Sequence, residues 1–175
     1  MRRTWITLII FVLFLLEGSV LPWLLPDVWL GRVYVSPHFA FVFILYVTLY
    51  LSRHLALAYG LGFGLLKDIV FFGPMIGTLS FTMGLSAYLI GLGFHRPKIR
   101  LASTLFFVGL GLLLFECIQY GLYRLFNQAS TSFRWAFLHE MLPDILFNLL
   151  FALIIYIPVR KLLEKVDIRQ ADPEN

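Results

Sequence analysis

The chain has 175 residues, of which 60% are hydrophobic, 17% aromatic and only 14% charged, with a formal charge of +4. Soluble chains carry roughly 25% charged and 45–50% apolar residues, so a water-soluble fold of this size would lack the polar surface to cover itself. The basic excess sits between apolar runs, as in a membrane protein, and gives no reason to expect nucleic-acid binding.

A helix crosses the hydrocarbon core with about 20 mostly apolar residues. Six segments of the sequence fit: 5–25, 37–51, 54–72, 74–94, 101–123 and 137–159. The first follows Met1-Arg2-Arg3, as a secretory signal would, but no small-x-small cleavage site comes after it, so it reads as a retained helix. The second is short and rich in Phe and Tyr. Ser52-Arg53-His54 joins the second to the third, and Phe72-Gly73-Pro74 joins the third to the fourth. The longer loops are 27–36 and 124–136. The sixth segment has Pro143 near its start and Pro158 near its end. The expected architecture is an all-α polytopic membrane protein, a single six-helix transmembrane domain over 1–163, followed by a short charged tail at 164–175.

The third and fourth segments carry small-residue seams. Gly60 and Gly64 lead to Asp68 at i, i+4, i+8, so all three share one helix face. Gly73, Gly77, Ser80, Gly84, Ala87 and Gly91 are spaced 4, 3, 4, 3 and 4. Small residues let helix backbones approach closely in lipid, where dispersion drives association. Two uses fit such a seam: packing within the bundle, and docking of a partner's membrane helix. Asp68 is an ionisable residue in a membrane segment and so a functional candidate. It could anchor a neighbouring helix, meet a partner or hold an ion or substrate. Lys67 points about 100° away from it and is expected to reach the outer interface by its long stem.

In the sixth segment Glu140, Asp144 and Asn148 form a polar stripe at i, i+4, i+8. Proline favours the first turn of a helix, and carboxylates there complement the dipole, so Pro143 and Asp144 suggest an acidic cap at the outer surface. Asn148 lies deeper and requires a partner inside the bundle. Glu17 and Glu116 are further in-membrane carboxylates, and with Asp68 and Asp144 they gather toward the outer leaflet, where a shared polar cluster with Lys67 is expected. The four histidines are scattered, one per loop or helix end, and make no metal set. Phosphate-loop, zinc-protease and nucleophile-elbow motifs are absent, so neither a catalytic site nor a cofactor is expected. Asp68 with Asp144 could serve an intramembrane enzyme only if they faced one cavity.

The stretch from Gly62 through Lys67-Asp68 to Gly73-Pro74-Met75-Ile76-Gly77, and the run Leu142-Pro143-Asp144-Ile145-Leu146-Phe147-Asn148, carry a family likeness. The chain resembles the MreD family of rod shape-determining membrane proteins over roughly 5–161, the first stretch matching its glycine-aspartate-glycine segment and the second its Pro-x-x-x-x-Asn signature. The resemblance implies a non-enzymatic role in the bacterial cell-elongation machinery. It implies partnership with MreC, a single-span protein, and with RodA, a class B penicillin-binding protein and MreB filaments. It also links the fold to the substrate-binding components of energy-coupling-factor transporters, which makes a vitamin or metal transporter component the alternative. The alanine docking motif of those components has no counterpart in 4–25, which contains no alanine.

Counting Lys and Arg with both termini cytoplasmic puts ten on the inner side and three, Arg32, Arg124 and Arg134, outside, with Lys67 inside a helix. The positive-inside rule therefore places both ends of a plasma-membrane protein in the cytoplasm. A fluorescent protein fused after Asn175 should fluoresce, and a phosphatase inserted in loop 124–136 should be active; an active phosphatase at Asn175 instead would sink the even helix count.

Overall fold

The computed structural model describes residues 2–19, 36–71, 75–93, 100–128 and 131–171. All regular structure in them is helical: α1 (Arg2–Ser19), α2 (Phe39–Tyr50), α3 (Arg53–Val70), α4 (Thr78–Gly93), α5 (Leu101–Leu125) and α6 (Leu142–Ala171). A helical turn at Phe133–Ala136 and a π-helical segment at Phe137–Met141 lead directly into α6. The π segment has a local cause. Pro143 has no N–H to give to residue 139, and its ring crowds that carbonyl, so the hydrogen-bond register shifts just ahead of it.

The short second helix is the centre of the molecule. All of α2 from Ala40 to Tyr50 is buried, and α2 packs against each of the other five helices. A helix that is apolar on every side is stable only when it is enclosed on every side. Its 12 residues span about 18 Å, well short of the roughly 30 Å hydrocarbon core. Tyr46 reaches from α2 to α6, its hydroxyl donating to the Ala152 carbonyl at 2.8 Å.

Helices α3 and α4 cross through their small residues. A Cβ placed on Gly60 would lie 2.7 Å from the Gly84 Cα, and one on Gly64 would lie 2.5 Å from the Ser80 Cα. Ser80 secures the crossing by donating its hydroxyl to the Leu61 carbonyl at 2.7 Å. Higher up α4, Gly91 makes room for Arg53 and Thr48, and Ala87 is fully buried. The seam is therefore filled from within the chain. Gly77 does not belong to it: α4 begins at Thr78, and Gly77 precedes it at φ +94°, a conformation in which a side chain would be strained. Gly73 lies outside the described residues.

Helix α6 continues past Pro158 to Ala171, beyond the expected end at 159. Its inward face persists: Tyr156, Val159 and Leu163 stay buried, so packing compensates the hydrogen bond that Pro158 cannot make. On the outer side Arg160 donates to Glu164 at 2.7 Å, one turn on. The expected charged tail thus begins within the helix, which runs on to Ala171.

The surface is inverted relative to a soluble protein. Ile154 and Ile157 on α6 are 68% and 62% exposed and Phe106 on α5 is 65% exposed, while Asp68, Lys67 and Glu17 are at most 6% exposed. Two helical stretches, Leu101–Leu125 and Phe133–Lys165, are long and apolar enough to cross a membrane, and Thr4–Ser19, Phe39–Tyr50 and Thr78–Gly93 are shorter apolar helices. Apolar exterior with charged interior is what lipid selects.

Gly64→Ala should destabilise the protein by about 1–3 kcal/mol through overpacking against the α4 backbone. Gly62→Ala, where a Cβ meets nothing within 4 Å, should be neutral or mildly stabilising. Melting temperatures in detergent read both; equal shifts for the two would contradict the crossing.

Candidate functional site

Two polar constellations are built where helices begin. The simpler one uses Asp68. Gly77 occupies the position before the first turn of α4 and has no side chain to cap it. Asp68 supplies the cap from α3: its Oδ2 accepts from the Gly77, Leu79 and Ser80 N–H groups at 2.8, 3.1 and 3.3 Å. These are the donors that a helix start leaves unsatisfied. Asp68 is thus an anchor for the neighbouring helix, and it is not part of the polar cluster expected around Lys67.

The second constellation surrounds the start of α2. The chain enters this helix in irregular conformation through Ser36, Pro37 and His38. Its backbone groups are taken up by α6. The Ser36 N–H donates to Asp144 Oδ1 at 2.6 Å, and the His38 N–H donates to Asn148 Oδ1 at 2.7 Å. The Asn148 amide donates in return to the carbonyls of Ser36 (3.2 Å) and Asp144 (2.9 Å). Asp144 does lie in the first α-helical turn after Pro143. It is buried, however, and serves the backbone ahead of α2 in place of the expected cap at the outer surface. Asn148, completely buried, has the partner its depth demands.

Lys67 does not reach the interface. It is buried, donating to Glu17 Oε1 on α1 and lying 2.9 Å from His38 Nδ1. The helix geometry explains why adjacent residues part: the 100° step from Asp68 turns Lys67 away from α4 and toward the start of α2. An ammonium has only donors, so Nδ1 of His38 accepts and the neutral ring carries its proton on Nε2. That Nε2 lies 3.8 Å from Glu116 Oε1 on α5, and the ring packs edge-on against Phe115 at 4.8 Å between centroids. One ligand-type atom from each of His38, Glu116 and Asp144 falls within 4.8 Å of the others. The reading of four scattered histidines thus fails at His38, which the fold brings to the meeting point of α1, α3, α5 and α6. The signal was its place straight after Pro37, at the start of an enclosed apolar helix.

The Lys67–Glu17 pair cannot be halved cheaply, since removing one partner strands a buried charge. The remaining candidates, Gly60, Gly64, Ser80, Gly84, Ala87 and Gly91, form the internal packing just described and touch neither constellation directly, apart from the Ser80 N–H on Asp68.

The fold and the site together define a helical membrane protein that buries Lys67 against Glu17, and Asp68 and Asp144 against backbone N–H groups. The chain belongs to the MreD family: the model of the rod shape-determining protein MreD matches residues 1–166. That membership gives it a role in determining rod shape. No curated protein and no solved structure matches the chain.

Lys67→Met should cost about 3–5 kcal/mol by leaving Glu17 unpaired in a buried site. Adding Glu17→Gln should restore most of the loss. Thermal unfolding of the single and double variants in detergent measures the cycle, and additive losses would show that the pair is not coupled.

Proposed function

We propose that the protein is a multi-pass, non-enzymatic scaffold of the cell-elongation complex. In this reading both termini are cytoplasmic and six spans form one bundle. The scaffold binds an MreC-like single-span partner within the membrane and helps coordinate lateral peptidoglycan synthesis with cell shape. RodA, a class B penicillin-binding protein and MreB filaments belong to the same assembly. The observation that carries the reading is the family match across 1–166, nearly the whole chain.

Three features support it. The small-residue seam of α4 is filled by α3, so a partner helix would be received on the apolar outer faces, such as Phe11, Val12 and Leu15 of α1 or Leu150, Ile154 and Ile157 of α6. Lys67, Asp68, Asp144 and Asn148 all have structural hydrogen-bond partners and form no nucleophile–base pair. Arg160 and Lys161 on the extension of α6 put positive charge at the end that the Lys and Arg count makes cytoplasmic.

Affinity-tagged protein isolated from its native membranes in mild detergent should bring down an MreC-like protein, and depletion should round the cells. Failure to recover that partner, together with cells that remain rods after depletion, would refute the scaffold reading.

A further inference from the structure

The start of α2 gathers carboxyl groups whose oxygens the described residues do not all engage. Glu17, Glu116 and Asp144 bring three carboxylates to it, and Lys67 is the one ammonium that meets them among the described residues. The dipole of α2 contributes about half a positive charge at this end. Its groups are not equally engaged. Glu17 is 6% exposed, and its Oε2 is buried without a hydrogen-bond partner among the described residues. The Glu116 contact to His38 Nε2, at 3.8 Å, is longer than a hydrogen bond. Asp144 gives Oδ1 to the Ser36 N–H and retains its second oxygen. A buried carboxylate is expensive unless it is paired, coordinates a metal or takes up a proton.

We propose that His38, Glu116 and Asp144 bind a divalent first-row transition-metal cation, Zn²⁺ in the first instance, between the start of α2 and helices α5 and α6. One imidazole nitrogen and two carboxylates suit zinc and its neighbours; the nitrogen disfavours magnesium and calcium, and the lack of thiolate or thioether disfavours copper(I). With Nε2 on the metal the ring proton would sit on Nδ1, so Lys67, which donates to Nδ1 at 2.9 Å without the metal, would turn wholly to Glu17, whose Oε2 has no hydrogen-bond partner among the described residues. The site ties together three elements that are distant in the chain, and it stands independently of which partner the scaffold binds.

The test uses the full-length protein in detergent, stripped by a chelator, titrated with ZnCl₂ and assayed for retained metal by mass spectrometry. One equivalent should bind and raise the melting temperature. His38→Gln, Glu116→Gln and Asp144→Asn should each weaken binding by at least about tenfold, the scale on which even outer-shell changes act. His139→Gln, at an exposed histidine, should leave it unchanged. X-ray absorption at the zinc edge of the unmutated protein keeps the test decisive where a variant fails to fold. It should show one imidazole with oxygen donors and no sulfur. Retention of no zinc, zinc held through exposed histidines only, a sulfur ligand from Cys117, or two or more imidazoles would each overturn the proposal.

Discussion

Hydrocarbon offers no water to a helix end, and this constraint organises the whole molecule. A span that starts at the membrane surface can leave its first N–H groups to solvent. Helix α2 is too short for that, and the chain passes from exposed Ser36 to buried His38 just before it starts. Non-helical backbone at membrane depth persists only where protein satisfies it. Asp144 and Asn148 meet that demand for Ser36 and His38, and Asp68 does the same for the start of α4. The two polar positions on α6 are one turn apart because the two N–H groups they serve are two residues apart along an extended approach.

A second consequence concerns Lys67 and Asp68. Neighbours in sequence with opposite charge invite the idea of a pair, yet each serves a different helix start. Asp68 faces α4 and Lys67 faces α1 and His38. The Gly60–Gly64 face makes this possible. It brings α4 close enough to α3 that a side chain as short as aspartate reaches three backbone N–H groups across the interface. Close packing and polar satisfaction are thus one design at this crossing, since a wider separation would leave the donors out of reach.

Much of this was legible in the sequence. The 4-3-4-3-4 spacing of small residues marks a contact face, and Ser80, Gly84, Ala87 and Gly91 make one. The i, i+4, i+8 stripe of the last helix has Asp144 and Asn148 on the buried side. Glu17, Glu116 and Asp144 do gather in one region, and Asp68 stands apart from them. Spacing could not say which residue each carboxylate meets, because those partners come from other elements of the chain, from nine positions away for Asp68 and Gly77 to 108 for Asp144 and Ser36. It also could not show that Gly77 ends a turn and does not begin a helix, since a positive φ leaves no trace in a hydropathy pattern. Lys67 was misplaced because a long stem near a helix end ordinarily reaches water. Here Glu17, already counted among the in-membrane carboxylates, holds it inside. The extension of α6 was obscured by Pro158 and by the charges of 160–165, which share the helix with a buried stripe at Tyr156, Val159 and Leu163.

The enclosure of α2 also bears on how the molecule is made. Membrane helices enter the bilayer in the order of synthesis, and α2 emerges second. The groups that complete its entry, Asp144 and Asn148, are contributed by α6, more than a hundred residues later. Until that segment arrives, the backbone at Ser36 and His38 has to remain near water or near the translocation machinery. The hub of the finished protein is therefore among the last parts to settle, and a chain interrupted before residue 144 contains every helix that surrounds α2 except the one that lets it stay.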